Sequence, residues 1–315
     1  MISKESIINV VFCSDGNYIE YLATSLASVY HNNLANNIHF HVFSYDVSES
    51  QLDKLRAQPG NISVYKIENA DLASYDSQSS LAHINKSTYI RLLVPRLLPE
   101  SVQRFVYLDV DTLCFSSLSA LNAINIDHHI CAVVTDNTKD INRKNSQRIG
   151  MTTDAYFNAG FLYINRRAWL DHEVERKTQD ILRDRKGQLK YLDQDALNIV
   201  LENNVVYIDK KWNLLYTLLN DEQQQNFIYR AETMPVIMHF TGGRKPWYQE
   251  HQGVGQHLYL FYRNFTAWRD TPLRSYRERM RATDYRVYAR RALQKGHLVE
   301  ALKNYAAYLN KKLKK

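Results

Sequence analysis

A chain of 315 residues, 45% hydrophobic and 23% charged, can bury a large core and has the composition of a folded protein, not of a disordered one. Its three cysteines, Cys13, Cys114 and Cys131, are far apart and form no C-x-x-C pair, which argues against a zinc cluster or a disulfide framework and for reduced thiols in a cytoplasmic setting. The net charge of +7 is uneven: residues 263–315 hold 15 Lys/Arg against 4 Asp/Glu, so the remainder carries −4 and the basic character belongs to the C-terminal region. No apolar run approaches the roughly 18–20 residues of a membrane span, and the first residues carry no apolar leader, so the chain reads as soluble or peripheral.

In chain order, Ile7–Ser14 is a continuous apolar run rich in β-branched residues, a buried strand that enters the polar loop Asp15-Gly-Asn17. Helical spacing follows from Tyr18 to Tyr30. A second strand is predicted over Ile38–Ser44, a helix capped by Ser48-x-x-Gln51, and a third strand over Ile62–Ile67. This βαβαβ alternation predicts an α/β fold, a mostly parallel sheet covered by helices. Thr88–Leu98 reads as a helix interrupted by Pro95, and Phe105–Leu108 as a strand. Strands are then expected over Ile130–Thr135 and Asn158–Asn165, helices over Arg166–Arg183 and Gln194–Leu201, and a short late strand over Val236–Phe240. The composition changes near 263, dividing the chain into residues 1–262 and a basic, Tyr/Arg-rich helical region, 263–315.

The strand Phe105–Leu108 runs into Asp109-Val110-Asp111. Side chains alternate along a strand, so the two carboxylates are expected on one side, where their repulsion calls for a cation. A divalent ion there would accept oxygen ligands and grip phosphates at its open positions. His239 ends the late strand, and an imidazole beside two carboxylates suits Mn²⁺ better than Mg²⁺. The turn Gly242-Gly243-Arg244-Lys245 offers backbone N–H groups and two cations to a diphosphate. Taken singly, each feature has a plainer reading: a solvated strand end, a core histidine, a basic surface loop. Haloacid-dehalogenase-type phosphatases share D-x-D, but their Thr or Val two residues on is Leu113 here, and three strands precede the motif. P-loop and dinucleotide fingerprints are absent.

Together, the D-x-D strand, Tyr156-Phe-Asn158-Ala-Gly160, Leu192-Asp193-Gln194-Asp195 and His239-x-x-Gly242-x-x-Lys245-Pro-Trp247 resemble glycosyltransferase family 8, above all its bacterial lipopolysaccharide and lipooligosaccharide glucosyl- and galactosyltransferases. The resemblance runs from Ile7 to about Trp247. A looser match, Ala267-Trp268-Arg269-Asp-Thr-Pro-Leu273, lies beyond it. It implies a GT-A-type, Rossmann-like fold and retaining transfer from UDP-glucose or UDP-galactose with Mn²⁺, for which Mg²⁺ could substitute. By the same resemblance Asp109, Asp111 and His239 hold the metal. Asp15, Asn17 and Tyr18 hold uridine. Gly242 and Lys245 meet the diphosphate, and Val110 lies within the nucleotide-binding motif. Arg91, Asp193 and Asn158 line the donor-sugar pocket, Asp136 faces the acceptor, and Gln194 sits beneath the anomeric carbon. Gln194 is a weak nucleophile, which favours front-face attack and leaves Asp195 as the alternative nucleophile.

The tail interleaves seven arginines between Arg274 and Arg291 with Tyr276, Tyr285 and Tyr288, and Val299–Leu309 has amphipathic helical spacing. Basic and aromatic residues so arranged suit an anionic surface on the inner face of the cytoplasmic membrane. A packed helical appendage with a solvated basic face is the other reading; no RNA-binding motif supports a nucleic-acid partner. The expected acceptor is a lipopolysaccharide-type core, with another glycan, a protein-linked acceptor, or a non-catalytic nucleotide-sugar- or RNA-binding role as alternatives.

Overall fold

Strands whose residues are apolar on both faces must be covered on both, and the computed structural model sets them at the centre of a seven-stranded sheet. The structure describes residues 7–75, 86–229, 233–251 and 253–313; residues 1–6, read as leaderless, and the last two lysines of the tail lie outside them. The first half contains β1 (Ile8–Asp15), α1 (Ile19–His31), β2 (Ile38–Tyr45), α2 (Glu49–Arg56), β3 (Asn61–Ile67), α3 (Ile90–Leu97), β4 (Arg104–Leu108), β5 (Thr112–Cys114), β6 (Cys131–Thr135) and α4 (Lys139–Ile149). Then come β7 (Phe157–Asn165), α5 (Arg166–Asp171), α6 (Val174–Asp184), α7 (Leu192–Val200), β8 (Val205–Tyr207), β9 (Leu214–Leu215), α8 (Asp221–Tyr229), β10 (Ile237–His239), α9 (Val254–Arg263), α10 (Ala282–Gln294) and α11 (Leu298–Leu313).

The sheet order is β3-β2-β1-β4-β7-β6-β8. From β1 the chain first builds outward through β2 and β3, then returns to place β4 on the other side of β1, with β1 parallel to both β2 and β4. The order therefore reverses between β1 and β4, and the crevice at their carboxyl ends is where open α/β sheets take ligands. β7 alone runs against its neighbours, antiparallel to both β4 and β6. Its first residues consequently lie at the same edge as the last residues of β4 and β6. The register jumps between Val133–Leu162 and Val134–Asn158, a bulge that accommodates Asn158-Ala159-Gly160 at the crevice.

Apolar layers cover both faces of the sheet: Val11, Phe43, Leu93, Phe105 and Leu197 on one side, Val10, Phe12, Leu22, Val106 and Trp212 on the other. The capping box at Ser48 forms as its spacing predicts. Two expectations need correction. Pro95 does not interrupt its helix but sits in the last turn of α3. The helix expected over Arg166–Arg183 is two, because the chain turns at Glu173 with φ 52°. The short late strand expected over Val236–Phe240 is β10, which pairs antiparallel with β5 and parallel with β9 in a second, three-stranded sheet. Strands of two and three residues are too short for periodicity to show them.

Residues after 263 pack onto the rest of the chain. Trp268 is buried in one apolar layer, and Tyr276, Met280 and Tyr288 join Tyr21, Leu113, Tyr216, Phe240 and Trp247 in a largely aromatic cluster. The rings of Tyr248 and Tyr276 stack at 4.7 Å. Helices α10 and α11 complete this end, and among the described residues no helix is long and apolar enough to cross a membrane.

Candidate active site

Asp109, Val110 and Asp111 lie in the tight turn between β4 and β5, not on a continuing strand. The turn, not strand alternation, therefore brings the two carboxylates together. Asp109 N–H donates to the Gly160 carbonyl at 2.9 Å, tying the turn to β7, and Phe240 N–H donates to the Asp111 carbonyl at 2.9 Å. Because β10 pairs with β5 so that His239 faces Thr112, the imidazole arrives beside the turn. Its Nε2 is 3.0 Å from Asp111 Oδ1 and 3.8 Å from Asp109 Oδ2. One ligand atom from each of the three residues lies within 4.8 Å of the others.

The imidazole is presented in a defined tautomer. Asn213 donates its amide to Asn158 Oδ1 at 2.9 Å, which aims Asn213 Oδ1 at His239 Nδ1, 3.1 Å away. Nδ1–H then donates to Asn213 and Nε2 faces the carboxylates, where it would give its lone pair to a bound metal, the arrangement of a metal-ligating histidine held by an outer hydrogen bond. Two carboxylates and a neutral imidazole suit a divalent cation. Gly160 makes room: a Cβ there would stand 2.2 Å from His239 Cε1 and 2.8 Å from Asp109 Oδ2.

Charges around the cluster are paired. Burial acts to raise the Asp111 pKa, but Lys245 and His239 outweigh it and hold the carboxyl well below the usual range. Lys245 forms an ion pair with Asp111 and donates to the Phe240 carbonyl at 2.7 Å. Arg91 joins two acids, with Nη2 3.2 Å from Asp109 Oδ1 and Nε 3.1 Å from Asp193 Oδ2, and donates to the Ala159 carbonyl at 2.8 Å. Tyr107 donates to Asp109 Oδ1 at 2.6 Å. Burial pushes the Asp193 carboxyl up to about 6 against the attraction of Arg91, with Asp109 adding to the rise.

Beside this lies an amide network. Asn158 donates to Asp136 Oδ1 at 2.9 Å and to Gln194 Oε1 at 3.3 Å, and Ala159 N–H donates to the same Gln194 oxygen at 3.1 Å. Burial raises the Asp136 pKa, opposed by the Asn158 hydrogen bond. The Gln194 amide donates to Tyr156 Oη at 3.2 Å, and Tyr156 donates to Asp195 at 2.5 Å. Asp195 is fully buried, takes both guanidinium arms of Arg148 at 2.8 Å and accepts the Tyr191 N–H at 2.9 Å. Burial would raise its pKa, but Arg148 and Tyr156 lower it.

At the end of β1, Asp15 accepts the Asn17 N–H at 2.7 Å, closing the loop that presents Tyr18. Tyr18 is 39% exposed, and its ring makes T-shaped contacts with Tyr21 and Trp247. Burial, then the charges of Tyr248 and Asp111, raises its pKa; the ring and the acid turn share one electrostatic neighbourhood. Gly242 adopts φ 76°, a left-handed turn that a Cβ would strain. Val110 is half-buried against the apolar layer under β4. Ion pairs and the contacts of His239 thus join Asp109, Asp111, Lys245, Arg91 and Asp193, and hydrogen bonds join Asn158, Asp136 and Gln194 with Asp195 behind them. Asp15 ends β1, and Asn17, Tyr18 and Gly242 lie on loops. Sequence reasoning missed Asn213, Tyr107, Tyr156 and Arg148 as supports; Asn213 lies in no recognisable motif, and Tyr156 was visible only as part of one.

The family model for glycosyl transferase family 8 matches residues 9–251. The chain belongs to this family. It is 27% identical over 314 residues to a lipopolysaccharide 1,3-galactosyltransferase of Salmonella typhimurium, covering 97% of this chain and 91% of the relative. It is 26% identical over 260 residues to a lipopolysaccharide 1,2-glucosyltransferase of Escherichia coli K12, covering 79% and 75%. The crystal structure of the galactosyltransferase LgtC with donor and acceptor sugar analogs superposes with a TM-score of 0.71 at 26% identity, covering 83% of this chain and 99% of that one. The fold of this family 8 member is accordingly GT-A, and the protein is a hexosyltransferase.

Proposed function

We propose that the protein transfers glucose or galactose from a UDP-sugar to a lipopolysaccharide-type core acceptor, with retention at the anomeric carbon and with Mn²⁺. The observation that carries this reading is the Asp109–Asp111–His239 cluster, beside Lys245 and the Arg91–Asp193 pair. These three residues would hold the ion, and when bound it supplies Lewis-acid neutralisation of charge on the departing diphosphate. Lys245, within reach of Asp111, would add its own positive charge there. Tyr18 would stack on uracil, with Asp15 and Asn17 shaping the loop and Gly242 letting backbone approach the phosphates. Arg91 and Asp193 would take the donor hydroxyls, and Asp136 an acceptor hydroxyl.

The hydrogen bonding supports front-face attack. The Gln194 amide oxygen already accepts two N–H groups, leaving little electron density for a bond to carbon. The four acceptor positions of Asp195 are taken by Arg148, Tyr156 and Tyr191, so it would support Gln194 through Tyr156 and not attack carbon itself. The acceptor oxygen would bond to the anomeric carbon on the side from which UDP departs, its proton passing to the leaving phosphate oxygen.

Helix α11 leaves Leu298, Leu302, Tyr305, Leu309 and Leu313 exposed along one stripe, with Leu302 71% exposed and Lys303 and Lys312 alongside. An apolar stripe flanked by cations fits peripheral docking on the anionic inner face of the cytoplasmic membrane.

The deciding experiment is a donor panel: purified protein, Mn²⁺ and several UDP-sugars with a core oligosaccharide, scored by UDP release and by product anomeric configuration. UDP-glucose or UDP-galactose should be consumed with the α-configuration kept. Inverted product would end the retaining reading, and no metal-dependent UDP release from any sugar would end the transferase reading.

A further inference from the structure

Between α8, the loop after β10 and α10 lies a cavity of about 400 Å³, whose walls include Thr217, Arg244, His251, Arg290 and Arg291. Three guanidiniums face it against one carboxylate, Glu222. His251 is 4% exposed and its ring hydrogen-bonds to the backbone of Arg244, which holds that loop against the cavity. Burial, then the charges of Arg291 and Arg244, lowers its pKa to about 3, so the ring is neutral and adds no charge to the cavity. Arg244 meets Asp284 only at 3.8 Å, and Arg290 is exposed at the end of α10 nearer α11. Arg291 keeps one arm on Gln224 Oε1 at 3.4 Å, and three guanidiniums lining one space form a receptor for a tetrahedral oxyanion.

The cavity adjoins the candidate active site through one loop. Thr217 Oγ1 and Thr241 Oγ1 are 2.7 Å apart, and Lys245 reaches Asp111 while its neighbour Arg244 lines the cavity. Gly242 and Gly243, between them, leave open space: a Cβ on either would meet nothing within 4 Å. The anion held here is therefore separate from the donor diphosphate at Lys245. We propose that the cavity binds a phosphate ester carried by the acceptor glycan and so seats the acceptor against the donor site. This rests on the transferase reading above and extends it to the acceptor's charge.

The test titrates the full-length protein with an acidic core oligosaccharide, once with its phosphate esters intact and once after hydrofluoric acid has removed them, using calorimetry and acceptor KM. The phosphorylated form should bind about tenfold or more tightly, an amount one to two charge-assisted hydrogen bonds can supply. Inorganic phosphate should compete with it. Arg290→Glu should erase the preference, Arg290→Lys should keep part of it, and UDP-sugar hydrolysis without acceptor should be unchanged in both. Equal affinity for the two oligosaccharides in the wild type, or a preference that Arg290→Glu leaves intact, overturns the proposal. Vesicles containing an anionic phospholipid form a further arm. Arg290→Glu should bind them as the wild type does, and a matching loss there would assign the cavity to a lipid headgroup and also overturn it. Phosphate-selective binding in a protein that consumes no UDP-sugar would keep the cavity and remove the transferase reading. Consumption without phosphate selectivity would do the reverse.

Discussion

Asn213 Oδ1 lies 3.1 Å from Nδ1 of His239, a contact that fixes Nδ1–H as a donor and turns Nε2 toward Asp109 and Asp111. Asn213 is itself held by Asn158, whose own oxygen also accepts the Gly160 N–H at 3.0 Å. The orientation of the nitrogen facing Asp109 and Asp111 thus traces back to the bulge in β7. Asn213→Ala should weaken Mn²⁺ binding by about 10- to 100-fold, the usual cost of losing an outer partner of a ligating histidine. Electron paramagnetic resonance of free Mn²⁺ during titration measures this. Unchanged affinity would show that the histidine needs no such support.

Gly160→Ala places a methyl group 2.2 Å from the His239 ring, which must move. Overpacking of this kind costs about 1–3 kcal/mol. A modest drop in thermal stability should accompany a loss of Mn²⁺ affinity larger than that of Asn213→Ala. A variant that melts early but binds metal normally would mean that the ring can shift without consequence.

Arg148→Ala would leave the fully buried Asp195 without its cation. Removing one partner of a buried pair is costly, and with Arg148 28% exposed the expected loss is about 3 kcal/mol in urea unfolding. Asp195→Asn, which still accepts from Tyr156, should keep measurable transfer. Accumulation of a glycosylated enzyme that this variant cannot form would instead make Asp195 the nucleophile.

Asp193, raised to about 6 chiefly by burial, sets a pH dependence. Above that value the carboxylate is ionised and pairs with Arg91. As pH falls through about 6 it takes up a proton, the pair weakens, and kcat/KM for the donor should fall about tenfold per pH unit below the midpoint. Asp193→Asn should be slower and should lack this acid limb in a kcat/KM profile. A limb that persists in the variant belongs to another group.

Leu302→Asp with Tyr305→Asp puts two charges on the exposed stripe of α11. Sedimentation with anionic vesicles should fall at least about tenfold, while UDP-sugar hydrolysis in solution stays at the wild-type level. Equal binding of wild-type protein to neutral vesicles would remove the electrostatic part of this attachment.

The sequence by itself determined the longer strands and helices and nominated the residues of the site. Continuous apolar runs such as Ile7–Ser14 must be covered on both faces, so a helix-flanked sheet follows, and Asp109, Asp111 and His239 advertise a cation by their types. What only the tertiary structure decided is how groups distant in sequence meet. The acids sit in a turn, not along a strand, because β5 leaves the main sheet to pair with β10, and that pairing delivers His239. β5 and β9 are too short to mark the sequence, and β7 reverses direction without any local signal, because strand polarity is set by its neighbours. The supports Asn213 and Arg148 stayed hidden for the same reason: a hydrogen bond across 26 residues, or a salt bridge across 47, leaves no periodicity to read.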